Sequence, residues 1–198
     1  MGEYDKRVVI LTRERGKIAA FARGARKPHS RFLAATTPFA FGVFQVYEGK
    51  SSYNINEISI SNYFENLRQD FEGAYYGMYF LELCDYCTRE NNDETEILRL
   101  LYQSLRALSA ASLDRRLVRA VFEIRLIAEN GEFPGAPERG ISETCRYAIN
   151  FIVQTPVEKL YTFALKEEVL LELLQWAKRY RKEFLPGNFQ SLQILDTI

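Results

Sequence analysis

Residues 7–22 read RVVILTRERGKIAAFA. Two short runs rich in apolar and β-branched residues, Arg7–Thr12 and Lys17–Ala22, flank the segment Glu14-Arg15-Gly16. A glycine in so short a connection supplies the positive φ that a tight turn demands. The stretch therefore predicts an antiparallel hairpin. Downstream, Phe39–Tyr47 is aromatic and β-branched, Gly49 closes it, and Tyr53–Ile60 reads as a further strand. Arg23–Arg31, between the hairpin and these strands, is a basic loop punctuated by Gly24 and Pro28. Short strands at such close spacing predict a small barrel or sandwich.

After Asn62 the period changes from two to about 3.6. Tyr75, Tyr79, Leu83, Tyr86 and Cys87 recur at helical spacing with Phe80 beside them, and Asn91-Asn92-Asp93 can cap the next helix, marked by Ile97, Leu101, Leu105 and Leu108. Ser112 precedes a third helix, with Leu117, Ala120, Val121, Ile124, Ile127 and Ala128 on one face and Asn130-Gly131 as its stop. A loop runs from Pro134 to Gly140. Ser142-Glu143 opens a helix through Val153, and a last long one covers Lys166–Phe184, with Val169, Leu170, Leu173, Leu174 and Trp176 facing inward. Strands come first and helices after, without βαβ alternation. The expected class is α+β, a β module over residues 1–62 followed by an all-α module over 63–198. No internal repeat interrupts that order.

The 198 residues carry 26 Lys+Arg against 26 Asp+Glu, so net charge names no partner. The distribution is more informative. Residues 1–50 hold ten bases and four acids, a net of +6, which leaves −6 for the remainder. Such asymmetry points to a basic binding face on the first module. Three cysteines are too few for a disulfide scaffold, and Met1–Lys6 does not read as a signal peptide, so a reducing cytoplasm is expected. Apolar runs fall far short of the ~20 residues that cross a bilayer. The one histidine, His29, sits in the basic loop, and no phosphate-binding glycine motif occurs. These residues favour a protein that is not an enzyme. Cys84 and Cys87 form a C-x2-C pair, but inside a helical pattern and without the further ligands zinc needs, so they read as buried thiols.

The site signal is the basic cluster. Lys6, Arg7, Arg13, Arg15, Lys17, Arg23, Arg26, Lys27 and Arg31 face a single acid, Glu14, over the same span, with Phe21 and Phe32 interleaved. Cations that track a backbone and rings that stack bases are how small barrels hold single-stranded nucleic acid. At least one of the two phenylalanines is expected in the core. Stacking does not choose DNA over RNA, so an RNA-binding module remains an alternative. A non-catalytic scaffold, with the hairpin paired to an acidic surface, is another.

The same residues resemble a known family. Gly2-Glu3-Tyr4-Asp5, the strand Val8–Thr12, the turn Glu14-Arg15-Gly16-Lys17 and Ala22-Arg23-Gly24-Ala25-Arg26 are similar to the opening of the RecO family of bacterial recombination mediators. The likeness continues in Ala34-Ala35-Thr36-Thr37-Pro38-Phe39, Tyr47-Glu48-Gly49, Tyr75–Tyr79, Leu105–Leu108 and Leu117–Gly131, and ends in Gln190-Ser191-Leu192. It implies an N-terminal OB-fold and a C-terminal helical domain. It also implies binding to single- and double-stranded DNA, annealing of complementary strands, and work with RecR and single-strand-binding protein to load the recombinase, without a cofactor. Two departures stand out. The family carries a strand ahead of the Gly-Glu-Tyr-Asp segment that this chain lacks, so a barrel without its first strand, with an open sheet edge, is expected. The four-cysteine zinc module of many members is also missing after Pro134, so zinc is not expected.

The resemblance further implies a receptor on the helical domain for the acidic, apolar-tipped tail of single-strand-binding protein. Such a receptor needs bases beside an apolar notch. Arg115, Arg116 and Arg119 form a basic cluster there. On this reading Arg116 and Arg119 meet the tail carboxylates, with Phe122 or Leu126 near the anchor pocket. The competing reading pairs Arg119 with Glu123, four residues on, and leaves Arg116 solvated.

Overall fold

A computed structural model of the chain describes residues 2–49 and 52–197; Met1, Lys50, Ser51 and Ile198 lie outside the described residues. Strands β1 (Lys6–Thr12), β2 (Gly16–Ala22), β3 (Phe41–Glu48) and β4 (Tyr53–Asn62) precede helices α1 (Glu65–Gln69), α2 (Phe71–Cys87), α3 (Thr95–Leu108), α4 (Arg115–Glu129), α5 (Glu143–Gln154), α6 (Glu167–Phe184) and α7 (Gln190–Leu195). The architecture is mixed α+β with the strands first. The chain divides into two compact units. One runs up to Gln69 and takes in Thr88–Thr95; the other comprises Asp70–Cys87 and the residues from Glu96 onward.

The strand unit is a four-stranded sheet in the order β1-β2-β4-β3. The β1–β2 and β3–β4 pairs are antiparallel, and β2 meets β4 in parallel through Ala20↔Tyr53 and Phe21↔Asn54. Among the described residues β1 and β3 are therefore edges, and the sheet does not close into a barrel. Alternation along the strands sets two faces. Ala20, Ala22 and Ile55 are buried on one, with Ala25 and Phe32 of the loop folded over them. Val8 and Ile10 of β1 and Phe44 and Val46 of β3 complete this core only partly buried, because each lies on an edge strand. β3 faces β4 with two register shifts, at Phe41/Gly42 and Gln45/Val46; the ladder skips Ser61 and Asn56, so the extra residues belong to β4.

The hairpin tip is more constrained than its sequence suggests. Gly16 has φ +63°, and a Cβ there would stand 2.3 Å from the Arg89 carbonyl oxygen and 2.8 Å from that of Asn92. Lys17 N–H donates to the Arg89 carbonyl (3.0 Å) and Asn91 N–H to that of Arg15 (2.8 Å). The segment after α2 is thus stitched to the hairpin by backbone bonds, and it joins the strand unit for that reason. Gly16→Ala should cost at least about 2 kcal/mol, since backbone strain and displacement of a carbonyl add. Gly131→Ala is the control: φ is +74° but nothing lies within 4 Å of the added carbon. It should cost roughly 1 kcal/mol, the strain alone. Denaturant titration of both variants measures the difference, and equal costs would remove the close approach from the account.

In the helical unit, α4 packs on α2, α5 and α6. Its residues are buried almost all round: Val118, Ala120, Val121, Phe122, Ile124, Leu126 and Ile127 are wholly enclosed. A helix apolar on most of its circumference belongs in the middle of a bundle. Asp114 caps α4, its carboxylate accepting from Arg116 N–H (2.8 Å). Ser142 caps α5 through Cys145 N–H. Asn130 closes α4, with Gly131 N–H donating to Ala128 and Glu132 N–H to Ile127. α2 buries Tyr76, Tyr79, Phe80, Leu83 and Cys84, so the inward stripe lies one residue round from the expected Tyr75; Tyr86 is exposed. α6 buries Leu170, Leu173, Ala177 and Tyr180, with Val169, Leu174 and Trp176 half-buried at its flanks. None of the three cysteines is in a disulfide. Burial, with the Glu172 carboxylate nearby, pushes the Cys145 thiol up to about 12. Among the described residues, no three His, Cys, Asp or Glu side chains are grouped to hold a metal.

Candidate nucleic-acid interface

The nine bases from Lys6 to Arg31 do not form one surface. β1 is seven residues long, so about 20 Å separates its ends. Arg13 and Arg15 lie at the hairpin tip. There Arg13 is paired with Glu14 (2.8 Å), and Arg15 reaches the Asn91 side-chain oxygen (3.4 Å). The adjoining segment brings Glu90, bridged to Gly16, and the Glu94 side chain to this end. Lys17 follows on β2, half-buried.

The other end is built differently. Asp5 accepts from Gly24 N–H (2.9 Å) and Gly2 N–H (2.9 Å), and Arg26 N–H donates to the Tyr4 carbonyl (2.9 Å). The Gly24 and Gly2 bonds hold the Asp5 carboxyl below the usual range, against a small opposing effect of desolvation and with help from Arg23. This carboxylate fixes the start of the basic loop. Gly24 there has φ +64°. Arg23, Arg26 and Lys27 are exposed around the turn, and the Lys27 ammonium stands 6.0 Å over the Tyr4 ring. Arg31 is exposed but tethered, donating to the carbonyl of the bulged Asn56 (2.8 Å) and lying over the Phe32 ring. Lys6 is used internally, its ammonium donating to the Thr36 carbonyl.

Strand register then extends this basic end across the sheet. Arg7 pairs with Phe21, Phe21 with Asn54, and Asn54 with Tyr47. These four residues form one row on the face turned away from the core, crossing all four strands, roughly 14 Å from first to last. Arg7 and Tyr47 are exposed, Phe21 is half-buried and Asn54 is buried, whereas Phe32 belongs to the core. Val9 opposes Ala19 and Leu11 opposes Lys17 on the same face. Tyr4 and Tyr47 were not among the expected site residues. The alternation in β3 marked Tyr47 as outward, but only the pairing shows that it shares a row with Arg7 and Phe21.

The basic cluster of the helical unit is paired throughout. Arg115 bonds Asp70 and Glu72, Arg116 bonds Asp114 (2.7 Å) and Glu167 (2.9 Å), and Arg119 bonds Glu123 (3.0 Å). Phe122 is enclosed and stacked on Phe80, centroids 4.0 Å apart, and Leu126 is equally enclosed. Neither can line an anchor pocket open to a peptide, because the all-round packing of α4 covers both. Asp114 and Glu167 hold Arg116 above the ordinary arginine range. Burial alone would lower Arg119, but Glu123, together with Tyr79 and Asp196, more than offsets it.

The family model described as "Recombination protein O N terminal" matches residues 1–64, and "Recombination protein O C terminal" matches residues 68–136. The chain belongs to the RecO family. A "DNA repair protein RecO" of Acetivibrio thermocellus is 28% identical over 230 aligned positions, taking in 100% of this chain and 92% of the relative. One of Clostridium novyi is 35% identical over 129 residues, 65% of this chain and 50% of the relative. One of Symbiobacterium thermophilum is 36% identical over 132 residues, 67% of this chain and 52% of the relative. In the last two the match spans about half the relative's length. The RecO models together take in the sheet, the basic loop, the Arg7–Tyr47 row and α2 through α4, while α5, α6 and α7 lie beyond the matched residues.

Proposed function

We propose that this RecO-family chain is a non-catalytic mediator of DNA repair and recombination. It binds single-stranded DNA on the outer face of its sheet, anneals complementary strands, and works with a RecR-like protein and single-strand-binding protein to load the recombinase. The observation that carries this reading is the row Arg7–Phe21–Asn54–Tyr47 beside the exposed Arg23, Arg26 and Lys27. Bases stack on rings irrespective of sequence, and the cations neutralise phosphates along the same track. The family relatives carry the name DNA repair protein, which agrees with that chemistry. A cytoplasmic location goes with it, and no helix among the described residues is long and apolar enough to cross a membrane. For the partner tail, the base to consider is Arg116, whose side chain is 44% exposed; a partner carboxylate would replace Glu167 there.

The test is a salt series with a labelled oligonucleotide, run beside an annealing assay on complementary strands. Binding should weaken steeply with salt and annealing should accelerate for DNA. Affinity that does not respond to salt would contradict phosphate tracking. Acceleration confined to complementary RNA would move the function to the RNA-binding alternative.

A further inference from the structure

The second half of α6 reads QWAKRYRKE over residues 175–183, four bases against one acid. Earlier acids of the helix are used internally: Glu167 pairs with Arg116 (2.9 Å), and Glu172 accepts from Ser142 N–H (2.7 Å). The bases are not. Lys178, Arg179 and Lys182 are exposed, and among the described residues no carboxylate pairs with them. Glu183 follows Arg179 by four residues, a spacing at which helix pairs form. Arg179 instead lies over the Trp176 ring, 5.1 Å from its centroid. A guanidinium held over an indole by its face keeps its N–H edge for an acceptor. Arg181 flanks the group, its buried Nε without a partner among the described residues. Lys182 follows Lys178 by four residues and Arg179 by three, so the three share a face with Cβ atoms about 5–6 Å apart. With Gln175 and Glu183 they line a shallow open depression. The helix dipole favours cations in the last turn, where Arg181 and Lys182 stand, but not Lys178 and Arg179 a turn earlier.

We propose, resting on the DNA-binding reading above, that this face of α6 is a second phosphate-binding surface, which holds the backbone of single-stranded DNA on the helical unit. α6 lies beyond the residues that the two family models match. Cations without a partner on one face neutralise phosphates and require neither a ring nor a base edge. An acidic peptide with an apolar tip would need a notch beside the charges. Trp176 lies under Arg179, and Leu171, the exposed large apolar side chain of α6, is about 10 Å along the helix from Lys178. The chemistry of the face therefore fits a phosphodiester chain better than a peptide tail. A long strand held on the sheet is at high effective concentration for a second surface on the same chain, so the further contacts add to affinity.

Fluorescence anisotropy of the full chain with a long labelled single-stranded DNA, over a salt series, tests this. Lys178→Ala, Arg179→Ala and Lys182→Ala together should lower the log–log salt slope by about 2, at roughly 0.7 per lost phosphate contact. Added to a chain that already carries Arg23→Ala, Arg26→Ala and Lys27→Ala, they should lower it by about the same amount again. The three side chains are exposed, so circular dichroism and the urea midpoint should match the parent. Lys178→Arg, Arg179→Lys and Lys182→Arg, which keep the charge, should keep the parent slope. Arg139→Ala with Lys159→Ala and Lys166→Ala removes the same charge from other exposed positions of the helical unit and should leave the slope unchanged. An α6 variant with the parent slope, beside a loop variant that has lost its own, overturns this surface and leaves the sheet reading standing. An equal loss from the second triple variant would reduce the effect to net charge and also overturns it. An α6 variant that binds DNA normally but no longer binds an oligoglutamate peptide would give the face to a protein partner instead. A parent whose DNA binding ignores salt defeats the DNA reading itself, and this surface with it.

Discussion

Glu123→Ala should destabilise the helical unit by about 3–5 kcal/mol, the cost of leaving a buried charge without its partner. The Glu123 side chain is 2% exposed, in the middle of α4. It accepts from the Tyr79 hydroxyl at 2.6 Å and from Arg119 Nε at 3.0 Å. The guanidinium of Arg119 also lies over the Tyr79 ring, 5.4 Å from its centroid. Removing the carboxylate leaves a buried hydroxyl without its acceptor and an arginine whose next acid, Asp196, stands at 3.7 Å. Burial, and then the Glu123 charge, raises the Tyr79 hydroxyl far above the ordinary tyrosine range, so it remains a neutral donor. Glu123→Gln keeps an acceptor and removes the charge, and its cost should be smaller, about 1–3 kcal/mol. Domains are stable by only about 5–15 kcal/mol, so the alanine variant should unfold at much lower urea concentration. An alanine variant within about 1 kcal/mol of the parent would show that the trio is incidental to α2–α4 packing.

This trio also marks where the sequence was legible and where it was not. The hairpin was readable because its alternation and Gly16 agree, and α4 and α5 because Asn130-Gly131 and Ser142 punctuate them. Local chemistry of that kind is written within a few residues. The burial of Glu123 is not local: it follows from α4 being covered on almost every side, which no single-face periodicity announces. The pairing of Arg119 with Glu123 was one of two readings open in the sequence, since four residues on a helix allow it. Asp70 and Glu167, which pair with Arg115 and Arg116, were not legible, because they lie 45 and 51 positions away. The same holds for the Thr88–Thr95 segment, whose attachment to Gly16 is a backbone contact with no side-chain signature. The nine bases were found as a cluster in the chain; their separation by the length of β1 appeared only with the strand register.

That separation makes the loop and the hairpin tip distinguishable in solution. Arg23→Ala, Arg26→Ala and Lys27→Ala together should lower the log–log salt slope for single-stranded DNA by about 2, at roughly 0.7 per lost phosphate contact. Extrapolated to 0.1 M salt, that is a loss of roughly 100-fold in affinity. Adding Arg31→Ala should lower the slope by less than a full further contact, because Arg31 already donates to the Asn56 carbonyl. Arg13→Ala should change the slope very little, since Glu14 already pairs with it at the tip. The loop variant should fold: all three side chains are exposed, and the Asp5 bond to Gly24 and the Arg26 N–H bond to Tyr4 do not depend on them. Phe21→Ala and Tyr47→Ala act by a different route. They should lower affinity by roughly 1–3 kcal/mol per stacked base while leaving the salt slope near its parent value. Fluorescence anisotropy from low to moderate salt separates the two classes. A triple loop variant with the parent slope, or a tip variant with the larger change, would place the phosphates at the other end of β1.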